Sequence, residues 1–206
     1  MNIQQYQDYD AFIFDMDGTL IDSLQQHQAA WERVLKHFAI PYTAQQMLAM
    51  SGMPAEQTVE NLLAQANMTR IKVDAVVEAK NQHYQDLVHA EIQATPLLTV
   101  FNHFQGKKPM SVGTGASQQE AEFLLNKLGI AEQLVAIVGA DLVDAHKPAP
   151  DTFLLCAKLM NVEPQRCLVF EDADAGIMAA KAASMDVVDV RPLWPNKYFD
   201  QHLTLE

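Results

Sequence analysis

Five short apolar runs constrain what this chain can fold into. Ala11 to Asp15 (AFIFD), Met110 to Gly113 (MSVG), Val135 to Gly139 (VAIVG), Cys167 to Phe170 (CLVF) and Val187 to Val190 (VVDV) are mostly apolar and bounded by Gly, Asp or Pro. They read as strands buried on both faces, the pattern of a parallel sheet. Helical segments separate the later runs: Gln118 to Leu128, Thr152 to Met160 with Asp151 as its N-cap, and Ala175 to Ala183 with Asp174 as its N-cap. This strand–helix rhythm predicts a doubly wound, Rossmann-like α/β domain.

The rhythm is broken once. From the second run onward, strands begin about 20 to 32 residues apart, whereas the first two are separated by nearly 100, far more than one crossover needs. The surplus predicts an inserted domain. Its segments Gln25 to Phe38, Ala55 to Ala66 and Val73 to Ala90 carry apolar residues at mixed i, i+3, i+4 and i+7 spacing. The expected organisation is therefore an α/β core made of residues 1–21 plus 91–206, and a small α-helical cap over 22–90.

Composition narrows the partners. With 14 basic against 26 acidic residues the chain repels a phosphate backbone, and its densest basic spot is Lys107-Lys108, so no nucleic acid is expected. Cys156 and Cys167 each sit inside an apolar run and read as buried small hydrophobes, which fits a reducing cytosol. The N-terminal MNIQQYQDYDAF has neither a basic start nor a long apolar stretch, and no later run approaches a membrane span, so a cytoplasmic location without membrane contact is expected. No heptad or long apolar stripe is evident, and a monomer is expected.

Ligands of doubly wound sheets bind beyond the carboxyl ends of the strands. After the first strand comes Asp15-Met16-Asp17-Gly18-Thr19-Leu20, two carboxylates that cannot both ionise cheaply there without a cation or a hydrogen-bond network. The second leads into Gly113-Thr114-Gly115-Ala116-Ser117, which offers a hydroxyl and helix-start amides to an anion. It is neither a dinucleotide fingerprint, since Gln118 replaces the third glycine, nor a P-loop. Beyond the third strand lies Asp144-Ala145-His146-Lys147-Pro148-Ala149-Pro150-Asp151, where Pro148 pushes Lys147 out of helical geometry. An ammonium placed there can hold a phosphate or damp carboxylate repulsion. The fourth strand ends in Glu171-Asp172-Ala173-Asp174. Acids from two strands then converge on one sheet edge, a donor set for a hard cation such as Mg²⁺, while the seven histidines show no zinc spacing.

Taken in order, DMDGTL, VGTGAS, HKPAPDTF and FEDADAGI resemble the four motifs of the haloacid dehalogenase-like superfamily of aspartate-nucleophile phosphatases and mutases, and the resemblance covers essentially the whole chain. It implies that Asp15 is a transiently phosphorylated nucleophile and Asp17 the general acid and base. It places Thr114, with Gly115 and Ala116, and Lys147 around the transferring phosphoryl group. The metal, Mg²⁺, would be held by Asp15, Asp17 through its backbone carbonyl, Glu171 and Asp172.

Within the superfamily, the Glu-Asp pair and DSLQQHQAAW look like the sugar-phosphate branch, which places a histidine near the active-site mouth where His27 falls. Read alone, His27 is a solvated or packed helix residue, and Lys80 either reaches substrate from the cap or is a surface lysine of VEAKNQHY. KPAPDTFLLCA, FEDADAGI and MDVVDVR are similar to bacterial phosphatases of fructose 1-phosphate and 6-phosphogluconate. The expected activity is therefore Mg²⁺-dependent hydrolysis of small phosphorylated sugars through an aspartyl phosphate. A β-phosphoglucomutase-type sugar phosphomutase is the alternative, although Ser51-Gly52-Met53-Pro54-Ala55 lacks the basic pair of that branch. Dehalogenation on the same scaffold, and a receiver-like phosphorylation switch, rank below both. One further departure is Ala183-Ser184-Met185 where the family often reads Ala-Gly-Met, predicting a helix end that lacks its usual glycine.

Overall fold

A computed structural model describes residues 2–50, 53–88 and 92–193. Its five strands are β1 (Ala11–Phe14), β2 (Met110–Gly113), β3 (Ala136–Val138), β4 (Cys167–Glu171) and β5 (Asp186–Asp189), all parallel in the order β3-β2-β1-β4-β5. The eight α-helices among the described residues are α1 (Leu24–His37), α2 (Ala44–Ala49), α3 (Ala55–Gln65), α4 (Val73–Val88), α5 (Leu98–Phe104), α6 (Gln118–Leu128), α7 (Asp151–Met160) and α8 (Asp174–Ala182). The doubly wound α/β fold with a helical insert, expected from the sequence, is the fold observed.

Side-chain alternation explains why both sheet faces are covered. Phe12, Phe14, Leu168 and Phe170 point to one face and pack with Val100, Phe101 and Phe104 of α5 and Leu124 and Leu125 of α6. Ala11, Ile13, Cys167 and Val169 point to the other, against Phe153 and Cys156 of α7 and Ala179 and Ala180 of α8. Both cysteines are buried and free. Helices α1, α3 and α4 bury a separate cluster of Val34, Leu35, Val59, Leu62, Val76 and Val77. The insert thus has its own apolar centre.

Two chain crossings join this helical layer to the core, and they pair with each other. Asp22 N donates to Gln93 O (2.8 Å) and Thr95 N to Leu20 O (2.9 Å), with an antiparallel bridge between Ile21 and Ala94. The expected end of the third cap helix at Ala90, the 90/91 boundary, and Ser51 and Gly52 lie outside the described residues.

Several details differ from the sequence reading. Asp151 and Asp174 are the first residues of α7 and α8 and not their N-caps, which are Pro150 and Ala173. An aspartate in the first turn is favoured by the helix dipole as well as by capping, so composition alone does not separate the two positions. Helices α2 and α5 were not anticipated. The first is only six residues long, too short to show periodicity, and is fixed by a capping box between Thr43 and Gln46. The second is rich in β-branched and aromatic residues.

The missing glycine after α8 leaves Ser184 at φ 58, the left-handed region, where Met185 N and Ser184 N donate back to Ala180 O and Lys181 O. A side chain there is strained by about 1 kcal/mol relative to glycine. Ser184→Gly is accordingly expected to raise stability by about that amount, read as a higher urea midpoint at unchanged slope.

Candidate active site

Strand order sets the site. β1 is central, so its carboxyl end lies between those of β2 and β4, at the point where the connections reverse direction. Asp15 follows β1 and its N–H donates to Phe170 O of β4 (3.0 Å), which brings it level with Glu171. Gly18 adopts φ 80, and any Cβ on it would collide with the Asp172 carboxylate. A Cβ on Gly176 would likewise meet the Glu171 carboxylate, so the glycine of FEDADAGI makes room for that side chain.

Asp15, Lys147 and Glu171 form a buried cluster, 5%, 2% and 1% exposed. Lys147 Nζ stands 2.7 Å from Asp15 Oδ1 and 2.8 Å from Glu171 Oε2, and lies over the ring of Phe153. Glu171 Oε1 accepts from the N–H groups of Asp172 (3.0 Å) and Ala173 (2.9 Å), so both its oxygens are engaged. Burial lowers the Lys147 pKa, but the charges of Asp15 and Glu171 outweigh it and hold the ammonium well above its ordinary value. Burial, then the Glu171 charge, push Asp15 up to about 7 despite Lys147. Burial and the charges of Asp15 and Glu171 raise Asp172 well above the usual carboxylate range.

One ammonium does not satisfy this group of acids. Asp15, Glu171 and Asp172 each offer an oxygen within 4.8 Å of the others, and Thr19 Oγ1 donates to Asp172 (3.3 Å). An all-oxygen set in which Asp15 and Asp172 are pushed toward protonation fits a hard divalent cation, which would relieve the repulsion.

Asp17 faces the other way. Its Oδ1 accepts from the Ser23 hydroxyl and from Tyr84 OH (3.3 Å), and His27 Nε2 stands 3.1 Å from it. His27 in turn stacks on Tyr84 with ring centroids 3.9 Å apart. Burial raises the Asp17 pKa, but the His27 charge, hydrogen bonds from His27 and Ser23 and the Lys80 charge hold it at about 2. The two aspartates of one motif therefore have opposite surroundings. Asp15 is partnered by core residues and Asp17 by cap residues and the crossing.

A cavity of about 420 Å³ lies between cap and core. Asp15, Asp17, His27, Lys80, Thr114, Gly115, Ala116 and Asp172 all line it, whereas Lys147 and Glu171 sit behind its wall. Thr114 is buried, and its Oγ1 accepts from Ala116 N (3.1 Å). Lys80 is buried with its ammonium 4.8 Å from the Tyr84 ring centroid and 5.8 Å from that of Trp31. Ser23, Thr19 and Tyr84 were missed from sequence. Tyr84 lies four residues after Lys80 on α4, and that i, i+4 pairing was the available clue.

A central-strand aspartate backed by a buried lysine, an acidic pair on the neighbouring strand and a helical insert over the mouth define a capped α/β hydrolase. The chain belongs to the haloacid dehalogenase-like hydrolases, whose family model matches residues 12–190. It is 43% identical over 188 residues to the fructose-1-phosphate phosphatase YqaB of Escherichia coli (strain K12), covering 91% of this chain and 100% of that protein. It is 30% identical to the β-phosphoglucomutase of Bacillus subtilis (strain 168), covering 87% of this chain and 82% of that one. Among solved structures, the β-phosphoglucomutase of Clostridium difficile superposes with a TM-score of 0.79 at 25% identity, over 94% of this chain and 96% of that one. No helix among the described residues is long and apolar enough to cross a membrane.

Proposed function

We propose that this chain is a Mg²⁺-dependent phosphatase of small phosphorylated sugars, of the kind that the E. coli relative's name describes for fructose 1-phosphate. The observation that carries the reading is the division of partners between Asp15 and Asp17, which gives one carboxylate to phosphoryl transfer and the other to proton transfer. The reading also takes the enzyme to be a cytoplasmic monomer.

The Asp15 carboxylate attacks phosphorus, and the bond from phosphorus to the sugar oxygen breaks. Asp17 gives its proton to the departing oxygen, then takes one from a water that attacks the aspartyl phosphate, releasing inorganic phosphate and restoring Asp15. Asp17 is held at about 2 and is therefore ionised at neutral pH, the form that accepts a proton. A phosphoryl anion bound beside it offsets the charges of His27 and Lys80 and raises it toward the acid form. Thr114 and the amides of Gly115 and Ala116 orient the phosphoryl oxygens, and Lys147 holds Asp15 in line while Glu171 positions Lys147. Mg²⁺ would be held by Asp15, Asp172, Glu171 and the Asp17 backbone carbonyl, supplying positive charge against the phosphoryl oxygens.

Hydrolysis is favoured over mutase chemistry by the wall of the cavity. Among the described residues that line it, Lys80 is the one lysine or arginine, against the acids Glu32, Glu56, Glu120 and Asp141 on the same walls. A sugar bisphosphate intermediate would place a second phosphate there. The test is phosphate release from fructose 1-phosphate, with steady turnover expected in Mg²⁺ and a loss of at least about 100-fold in EDTA, restored by excess Mg²⁺. Conversion of β-glucose 1-phosphate to glucose 6-phosphate in the presence of a bisphosphate primer, without phosphate release, would establish the mutase instead.

A further inference from the structure

Glu120 enters the cavity from the first turn of α6, whose start is fixed by the Ser117 hydroxyl accepting from Glu120 N (3.3 Å). Its Oε1 is buried and has no hydrogen-bond partner among the described residues. Two other acids of the same lining are already engaged. Asp141 Oδ1 accepts from Gln118 N (2.6 Å), and Glu32 Oε1 accepts from Gln28 Nε2 (2.8 Å). Lys80 faces Glu120 across the cavity and attracts it through space, but no ion pair within 4.0 Å joins them.

A buried carboxylate oxygen without a protein donor costs stability, and a hydroxyl-bearing molecule in the cavity can supply the donor. A phosphate dianion carries no proton to give, and it would be repelled. Sugar hydroxyls are donors, and one carboxylate can accept from two neighbouring hydroxyls. Trp31, Tyr42 and Met47 supply apolar surface on the cap side for the carbon face of such a molecule.

We propose that Glu120 determines specificity, accepting hydrogen bonds from the hydroxyl groups of a polyol monophosphate and disfavouring substrates with a second anionic group. The proposal rests on the phosphatase reading of the same site and names the part of the substrate read on its core wall. Glu120 touches no reacting atom in this scheme, so its removal acts on KM more than on kcat.

The experiment compares wild type, Glu120→Gln and Glu120→Ala on fructose 1-phosphate, fructose 1,6-bisphosphate and p-nitrophenyl phosphate, with thermal melts as a check of folding. For both variants KM on fructose 1-phosphate is expected to rise about tenfold to a hundredfold, with p-nitrophenyl phosphate changed less than about twofold. The preference for monophosphate over bisphosphate should shrink by about tenfold. Equal losses on fructose 1-phosphate and p-nitrophenyl phosphate would reduce Glu120 to a structural partner of Lys80 and overturn the assignment, as would unchanged kinetics on fructose 1-phosphate. A wild type active on p-nitrophenyl phosphate but on neither sugar phosphate overturns it too, leaving the phosphatase chemistry standing. If wild type releases phosphate from none of the three, the phosphatase reading itself fails, before any variant is made.

Discussion

Asp15→Asn should abolish turnover and stabilise the metal-free protein. An amide oxygen does not attack phosphorus, and loss of a covalent nucleophile costs on the order of 10⁴-fold or more in kcat. The gain in stability follows from the surroundings of Asp15. Burial and Glu171 raise its pKa to about 7, so the folded protein binds a proton there that the unfolded chain, with an ordinary aspartate, releases near pH 4. Its contribution to stability is full below the unfolded pKa and is lost as pH rises through about 7. Asparagine keeps an oxygen for Lys147 and removes the ionisation. In EDTA, the melting temperature of Asp15→Asn should exceed that of wild type by a margin that widens from pH 5 to pH 8. In Mg²⁺ the margin should narrow, because the ion favours the ionised aspartate of wild type. A margin independent of pH would show that Asp15 ionises without cost in the folded protein.

Lys147→Met should have the largest effect on the fold. The ammonium is 2% exposed and contacts both Asp15 and Glu171, so its removal leaves two buried acids facing one another. Breaking a buried pair in this way costs about 3–5 kcal/mol, or a fall in melting temperature on the order of 10 °C for a chain of this size. Part of the cost is avoided if one acid takes up a proton, so the defect should deepen as pH rises from 5 to 8. Millimolar Mg²⁺ should recover some of the lost stability by supplying charge to the same carboxylates, while activity stays at least about 100-fold down because Asp15 is no longer held in line. Arginine is a poor replacement, since its planar fork is larger than the compact ammonium that lies over Phe153. A Lys147→Met protein with the wild-type melting curve would mean that the two acids are already neutral.

Much of this was legible in the sequence because a parallel sheet leaves little freedom. Once AFIF, MSVG, AIV and CLVF are strands of one doubly wound sheet, the residues that follow them must meet at one edge, and Asp15, Thr114, Lys147 and Glu171 do. The insert was legible from chain length between strands. What sequence reasoning could not supply depends on how the cap docks. Ser23, His27 and Tyr84 reach Asp17 through a contact between layers that no local pattern encodes. For Lys147 the sequence left two readings, phosphate binding and damping of carboxylate repulsion, and the contacts to Asp15 and Glu171 behind the cavity wall favour the second. Glu120 reads in sequence as an ordinary first-turn acid, and what sets it apart is a buried oxygen without a hydrogen-bond partner among the described residues.

The paired crossings between cap and core have a mechanical consequence. One strand alone would leave the helical layer loosely tethered, but two strands joined by backbone hydrogen bonds restrict it, and any change in its angle to the core would pivot about that pair. Ser23 follows the first crossing directly, and His27 and Tyr84 belong to α1 and α4 of the helical layer. The surroundings of Asp17 would therefore change with the angle of the cap, whereas those of Asp15, supplied by the core, would not. With the roles proposed for the two aspartates, proton transfer would depend on where the cap stands and phosphoryl transfer would not.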